Sequence, residues 1–282
     1  MPQAVWRLGF VQLWHPGIIA TVLLVQALYL WLVYGSVGRA RSVAPHPPAR
    51  TVSFLIGMAV LYLAFGTPLD ALSDDFLFSA HMVEHLLEIF VLVPLLLHGT
   101  PGWLMAPALA WRPLRGVLGA ALSPWLGATI FNVIFSVFHL PLLYNLTLSS
   151  EAFHFFEHAM FFIGAIGLWW SVLAPADLRR PFPPGAQMIY AFYNMMAMMP
   201  AFVLITFAGH PLYAYGEAPR QFGLSPYGDQ QLGAMIMFFG SALAYLVIFM
   251  AAFLPFAAKV AADEDEDGRS IAPEAGRAHA VR

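Results

Sequence analysis

The sequence predicts an all-α integral membrane protein, a polytopic bundle of about seven transmembrane helices. Of its 282 residues, 60% are hydrophobic and only 10% are charged, with a mean hydropathy of +0.71. Soluble domains average about 25% charged residues. The apolar residues gather in seven runs, most of them near the ~20 residues that a helix needs to cross a bilayer. The loops between the runs carry a lopsided distribution of Lys and Arg, which is typical of membrane proteins.

The seven runs follow one another along most of the chain. Their expected bounds are 16–37, 51–69, 76–98, 117–142, 152–174, 186–208 and 229–257. A shorter apolar stretch, 101–111, could be an interfacial segment. We therefore expect a transmembrane domain over 1–258. The tail over 259–282 contains the acidic run DEDED, is too polar to bury a core, and is predicted to be disordered and cytoplasmic.

The loop charges predict the orientation. If the spans alternate, eleven of the thirteen Lys and Arg fall on one side, and only Arg7 and Arg220 fall on the other. The positive-inside rule then places the N-terminus outside and the C-terminus in the cytoplasm. An even number of spans would spoil this division, so the charges also favour seven. No cleavable signal peptide is expected, because Trp and His interrupt the first 16 residues.

Histidines gather at the face opposite the basic loops. Seven of the ten fall there, at the ends of spans or in outer loops: His15, His81, His85, His139, His154, His158 and His210. Ionisable groups in membrane segments are costly and usually have a function or a partner. Helix capping and contact with headgroups would be the simple structural explanation for any one of them.

The pattern His-x-x-Glu-His occurs twice, as HMVEH at 81–85 and as HFFEH at 154–158. Residues three and four apart share one face of a helix. The first motif therefore presents His81, Glu84 and His85 together, with Glu88 on the same arc. The second motif presents Glu157 between two histidines in the same way. Bundles often build metal sites between such faces, so we expect His81, His85, His139, His154, His158, Glu84 and Glu157 to be metal ligands.

Met82, in the outer leaflet, is predicted to be a further ligand, and Asp229, at the start of the seventh span, is expected either to be solvated or to attract a cation. The acids of the loop before the third span, Asp70, Asp74 and Asp75, are expected either to be solvated or to attract a cation. Thioether and imidazole donors together suit Cu(I) better than Mg or Ca, although Met in an apolar helix more often packs. The chain has no cysteine, which excludes disulfides, thiolate zinc sites and iron–sulfur clusters.

Four segments resemble the CtaG-type cytochrome c oxidase assembly factors associated with caa3-type oxidases. They are FSAHMVEHLLEIFVLVPLLLHGTP at 78–101, FNVIFSVFHLPLLYN at 131–145, HFFEHAMFFIGAIGLWW at 154–170 and DQQLGAMIMF at 229–238. The likeness covers roughly 65–257. It implies a multi-pass protein of the bacterial cell (inner) membrane that matures a haem–copper oxidase. Its motif positions point to His81, His85, His139, His154, His158 and Asp229.

We therefore expect a non-enzymatic assembly protein that binds copper, as Cu(I) or Cu(II), at the outer, periplasmic face. The expected partners are haem–copper oxidase subunits, membrane lipid, a soluble periplasmic copper carrier and a second copy of the chain, with no nucleic acid. Two alternatives remain open at this stage. His pairs could ligate haem, or His-x-x-Glu-His could form a membrane zinc metallopeptidase with Glu84 or Glu157 as general base. A purely structural scaffold for the oxidase is a further possibility.

Overall fold

Helices follow one another along most of the described chain. The computed structural model describes residues 3–41, 45–175, 178 and 180–275, and these contain no strand. Six helices are long and apolar enough to cross a membrane, and a bent pair provides a seventh segment. The seven are α1 (Pro16–Tyr34), α2 (Pro48–Phe65), α3 (Phe78–Gly99), α4 (Pro124–Phe138), α5 (Glu151–Leu173), α6 (Pro184–Phe207) and α7 (Pro226–Ala275). The all-α fold with about seven candidate spans is confirmed.

Shorter helices join the long ones. They are Gln3–Trp6, Phe10–Trp14, Ser36–Arg41, Pro68–Asp75, Gly102–Ala110, Arg112–Ala121, Pro141–Thr147 and the 3₁₀ turn Ala218–Phe222. Many helices here begin at a proline, whose fixed φ suits a first helical position and whose missing N–H would be unpaired there in any case. Proline positions in the sequence therefore mark several helix starts directly.

The fourth apolar run is not one straight span. The prediction of a continuous helix over 117–142 is wrong, because Arg115–Ala121 and Pro124–Phe138 meet at 82°. Pro124 has no N–H to continue a helix, and its ring disfavours helical geometry at Ser123, which is extended. Pro141 imposes the same break on Leu140. As a result α4 ends at Phe138, and His139 follows it at the C-cap.

A π-helical turn interrupts α3 over Glu88–Leu92. Pro94 follows it closely, and a proline inside a helix removes one backbone donor and clashes with the carbonyl four residues earlier. The wider turn leaves a carbonyl available at Ile89, and the Trp169 indole of α5 donates to it at 2.7 Å. This bond ties the middle of α3 to α5, just below the polar end of both helices.

Small residues allow α4 and α5 to approach closely. A Cβ added to Gly127 would lie 2.6 Å from the carbonyl oxygen of Ala121 and 2.7 Å from that of Gly167. Membrane helices commonly pack through such small residues. A polar contact lies across the next interface, where the Asn132 amide donates to the Asn194 amide oxygen at 2.8 Å. Helices α3 and α6 both pack on α7, so the largest apolar core lies among α3–α7.

Helix α7 continues through the predicted tail as far as Ala275. The disorder of 259–282 stays a prediction, as does the orientation of the termini across the membrane. Three of the eleven Lys and Arg counted on one side, Arg179, Arg277 and Arg282, and one of the ten histidines, His279, lie outside the described part of the chain.

Candidate metal centre

The predicted ligands come together at one end of the bundle. His81 and His85 lie in the first turns of α3, His154 and His158 lie in the first turns of α5, and His139 follows α4. Helices α3 and α5 begin at this end of the bundle and α4 ends there, so the three helix ends lie side by side. The imidazole rings touch across the interface, and the centroids of His81 and His158 are 5.5 Å apart. Tertiary packing thus gathers the five imidazoles that the motifs predicted.

The most buried part, which we call the inner group, consists of His81, His85 and Glu157. The Nε2 atoms of His81 and His85 lie 3.7 and 3.8 Å from the two Glu157 oxygens, and all three side chains are at most 1% exposed. None of their six nitrogen and oxygen atoms forms a hydrogen bond with another described residue. The nearby Thr147 hydroxyl donates instead to the Tyr144 carbonyl. Buried polar groups are rarely left without partners, so this geometry suits a cation among them.

The two His-x-x-Glu-His motifs cross over. The carboxylate facing His81 and His85 belongs to the second motif, whereas Glu84 of the first motif turns towards His154 of the second. Glu84 accepts a hydrogen bond from the Ser73 hydroxyl. With Asp74 and His154 it forms what we call the rim group, whose potential ligand atoms lie within 4.8 Å of one another. Sequence spacing showed which residues share a helix face, but not this exchange.

The second histidine pair lies between two carboxylates and is linked to one of them by hydrogen bonds. His154 Nε2 lies 2.9 Å from His158 Nε2, and His158 Nδ1 lies 2.8 Å from a Glu88 oxygen. On the other side, His154 Nδ1 lies 3.3 Å from Asp74 Oδ1. Glu88 begins the π turn of α3 and is buried. The pair therefore connects a half-exposed carboxylate at the rim with a carboxylate deep in the bundle.

His139 has its orientation fixed by the backbone. Its Nδ1 lies 2.7 Å from the Phe135 carbonyl oxygen, so Nδ1 carries the proton and donates. The buried Nε2 has no hydrogen-bond partner among the described residues. Metal-binding histidines are commonly held in this way. The ring centroid lies 5.8 Å from that of His85, which places His139 beside the inner group.

Asp229 forms hydrogen bonds with the start of α3. Its carboxylate accepts from the backbone N–H groups of Phe78 and Ser79 at 2.7 and 3.3 Å, and from the Ser79 hydroxyl at 2.5 Å. It therefore caps the N-terminus of α3 from α7. The following Gln230 accepts from the Leu212 N–H at 2.6 Å and donates to the Ile205 carbonyl. The Asp-Gln-Gln segment thus links α7 to the start of α3, to the end of α6 and to the loop that follows α6. A ligand role for Asp229 stays a prediction.

The other predicted groups lie around the centre. Met82 is fully buried in the apolar core, and its role as a ligand stays a prediction. His15 Nε2 lies 3.1 Å from Asp70 Oδ2. Burial, with like charges at Asp74 and Asp75, raises the pKa of Asp70 to about 7. His210 is exposed, and its ring bonds locally to the Ala208 carbonyl.

Three tyrosines that the sequence did not single out line the centre. Tyr144 lies with its ring centroid 5.1 Å from that of His81. Its hydroxyl is 2.8 Å from that of Tyr215, which donates to the Ser73 carbonyl. The Tyr213 hydroxyl donates to the His139 carbonyl at 2.9 Å. Tyr144 follows the His-Leu-Pro segment, but its approach to His81 depends on long-range packing that no local pattern reveals.

Comparison with known proteins agrees with the motif resemblance. The family model for the cytochrome c oxidase caa3 assembly factor (Caa3_CtaG) matches residues 27–259, which is most of the chain and includes every residue of the centre. No curated protein and no solved structure matches the chain.

Proposed function

Since the chain belongs to the cytochrome c oxidase caa3 assembly factor family, we propose that it takes up copper at the histidine end of the bundle and passes it to the oxidase. The inner group and His139 hold the ion as it passes through. The recipient is an oxidase subunit, reached directly or through a soluble periplasmic carrier. The predicted orientation places the centre at the periplasmic face.

One observation carries this proposal. Six potential donor atoms of His81, His85 and Glu157 are buried together without hydrogen bonds to described residues. A buried polar atom without a partner costs about 1–3 kcal/mol, so such a cluster is expensive unless something binds it. Imidazole nitrogen with a single carboxylate suits Cu or Zn rather than Mg or Ca. The family's association with a copper-containing enzyme favours copper.

The geometry supports an ion more than a haem. Five of the six pairs among the rings of His81, His85, His154 and His158 are in contact, with centroid distances of 4.3 to 5.5 Å. Two histidines that ligate one haem lie on opposite faces of the porphyrin ring. Imidazole rings that are in direct contact leave no room for a porphyrin between them. Three donor atoms of the inner group, by contrast, lie within 4.8 Å of one another, close enough to share one ion.

A peptidase is also less well supported. In the His-x-x-Glu-His enzymes, two histidines hold zinc while the glutamate of the same motif serves as general base. Here the carboxylate beside His81 and His85 comes from the other motif, and Glu84 accepts a hydrogen bond from Ser73. We therefore propose a carrier without enzymatic activity.

The test is metal analysis of purified protein. Wild type and a His81→Ala/His85→Ala variant are loaded with copper in detergent, freed of excess ion, and measured for copper per chain. We expect the double variant to retain less copper per chain than wild type, because it lacks two ligands of the inner group. His98→Ala is the matched control, since His98 is an exposed residue at the far end of the same helix. Equal copper in wild type and the double variant would sink the proposal.

A cellular measurement tests delivery. Cells that carry only the His81→Ala/His85→Ala variant should assemble oxidase with reduced copper content and activity. Normal oxidase in those cells would favour a scaffold that works without bound metal.

A further inference from the structure

A second set of potential ligands includes two partly exposed side chains. The rim group combines Asp74 from the short helix Pro68–Asp75, Glu84 from α3 and His154 from α5. The Asp74 side chain is 39% exposed and that of His154 is 16% exposed. Three separate elements therefore direct donor atoms to one point that solvent can reach.

Glu84 gives independent evidence that this point is built for a ligand. Its side chain is fully buried, one carboxylate oxygen accepts from Ser73, and the other oxygen, Oε1, has no hydrogen-bond partner among the described residues. A potential ligand atom of Glu84 lies within 4.8 Å of Asp74 and His154. Two carboxylates this close repel each other, and a cation between them removes that repulsion.

His154 faces the rim through one ring nitrogen and His158 through the other. Nδ1 faces Asp74 at 3.3 Å, while Nε2 faces His158 at 2.9 Å. His154 also belongs to a second set of possible ligands with His81 and His158. His81 in turn belongs to the inner group. Neighbouring donor sets therefore share a residue at each step from the half-exposed rim to the buried inner group.

From this arrangement we propose that the rim group is a second cation site, which captures Cu²⁺ from solution and loads the inner group through His154. The inference rests on the proposed function, because the inner group must take up copper for the rim to load it. Two carboxylates and one imidazole form a donor set for a divalent cation, whereas Cu(I) prefers softer ligands. The ion keeps its charge throughout the transfer, so no reductant is needed.

The test uses the full chain purified in detergent, with Cu²⁺ as the probe. Equilibrium titration gives the number of ions bound, and stopped-flow mixing gives the loading rate. Wild type should bind two Cu²⁺ per chain, one for each group. Asp74→Asn should bind one and load it at least about tenfold more slowly, because a negatively charged entrance raises association rates by 10-fold or more. Glu84→Gln should lose the same ion, which provides a second variant if one of the two folds poorly.

Matched variants separate the possible outcomes. Asp75→Asn removes the same charge from an exposed neighbour that is not a member of the rim group, and it should keep both ions and the wild-type rate. His81→Ala/His85→Ala should lose the inner ion and keep the rim ion.

Other results would overturn the inference in distinguishable ways. If wild type binds one ion that only the inner-group variant loses, the rim site is wrong and the proposed function stands. If Asp74→Asn matches wild type in number and rate, the loading route is wrong. If wild type binds no copper at all, both the rim site and the proposed function fail.

Discussion

Replacing Asp229 distinguishes a helix cap from a metal ligand. In Asp229→Asn the amide oxygen can keep one hydrogen bond to the start of α3, but the amide N–H₂ then faces a backbone donor, at Phe78 or Ser79, and leaves it unpaired. A buried donor without a partner costs about 1–3 kcal/mol, and loss of an N-terminal cap costs about 0.5–2 kcal/mol. Both figures describe the loss of the same hydrogen bond, so they are not added. We expect the free energy of unfolding to fall by about 1–3 kcal/mol.

Thermal unfolding in detergent measures this loss. For a chain of this size, 1 kcal/mol corresponds to roughly 2–4 °C in Tm, so Asp229→Asn should melt about 2–12 °C below wild type. Ser79→Ala removes only the hydroxyl contact and should melt closer to wild type. Both variants should keep the copper content of wild type, because Asp229 acts on the first turn of α3 and not on the ion.

The opposite pattern would refute this reasoning. If Asp229→Asn loses its copper while its Tm stays within 1 °C or so of wild type, then Asp229 is a ligand and the hydrogen bonds to α3 contribute little. A fall in both quantities would be resolved by Ser79→Ala. That variant weakens the cap and leaves the carboxylate in place, so it should lower Tm without loss of copper.

Three further predictions concern the helices that position the centre. Gly127→Ala puts a Cβ less than 3 Å from two carbonyl oxygens. It should lower the free energy of unfolding by about 1–3 kcal/mol, because it pushes α4 away from α5. The control is Gly116→Ala, whose Cβ meets nothing within 4 Å and which should leave Tm unchanged or slightly raised. A double-mutant cycle of Asn132→Ala and Asn194→Ala, followed by thermal unfolding, should give a coupling energy of about 0.6–1.7 kcal/mol, and zero coupling would contradict the observed amide contact. The third uses pH. Because the pKa of Asp70 rises from 3.8 to about 7 in the fold, the folded state holds this proton more tightly than the unfolded chain. The associated stability is present below pH 3.8, falls by up to about 4 kcal/mol as pH rises to 7, and is flat above. The Tm difference between wild type and Asp70→Asn should follow that curve, and a difference that does not change with pH would contradict it.

The sequence was sufficient for the main features of the candidate site. The i, i+3, i+4 spacing places His81 and His85 on one face of a helix whatever surrounds it, and the same spacing does so for His154 and His158. Alternation of the spans then requires the starts of α3 and α5 and the end of α4 to share one end of the bundle. The predicted gathering of histidines follows from these two local rules.

Other features depend on atoms that are distant in the sequence. The exchange of glutamates between the two motifs requires the relative rotation of α3 and α5, which the Trp169–Ile89 bond and close helix packing determine. The capping role of Asp229 requires a backbone terminus about 150 residues away. A carboxylate such as that of Asp229 looks the same in the sequence whether it binds a metal or a helix end.

By itself, then, the sequence determined an all-helical membrane protein, the approximate spans, the family and the five imidazoles at one end. Hydropathy and helical periodicity are local properties, so they can be read along the chain. The tertiary structure decided that α4 is bent away from a straight span, that Glu157 faces the other motif's histidines, and that Asp229 holds α3. Those outcomes depend on how deeply and at what rotation each helix packs, which is a property of the whole bundle.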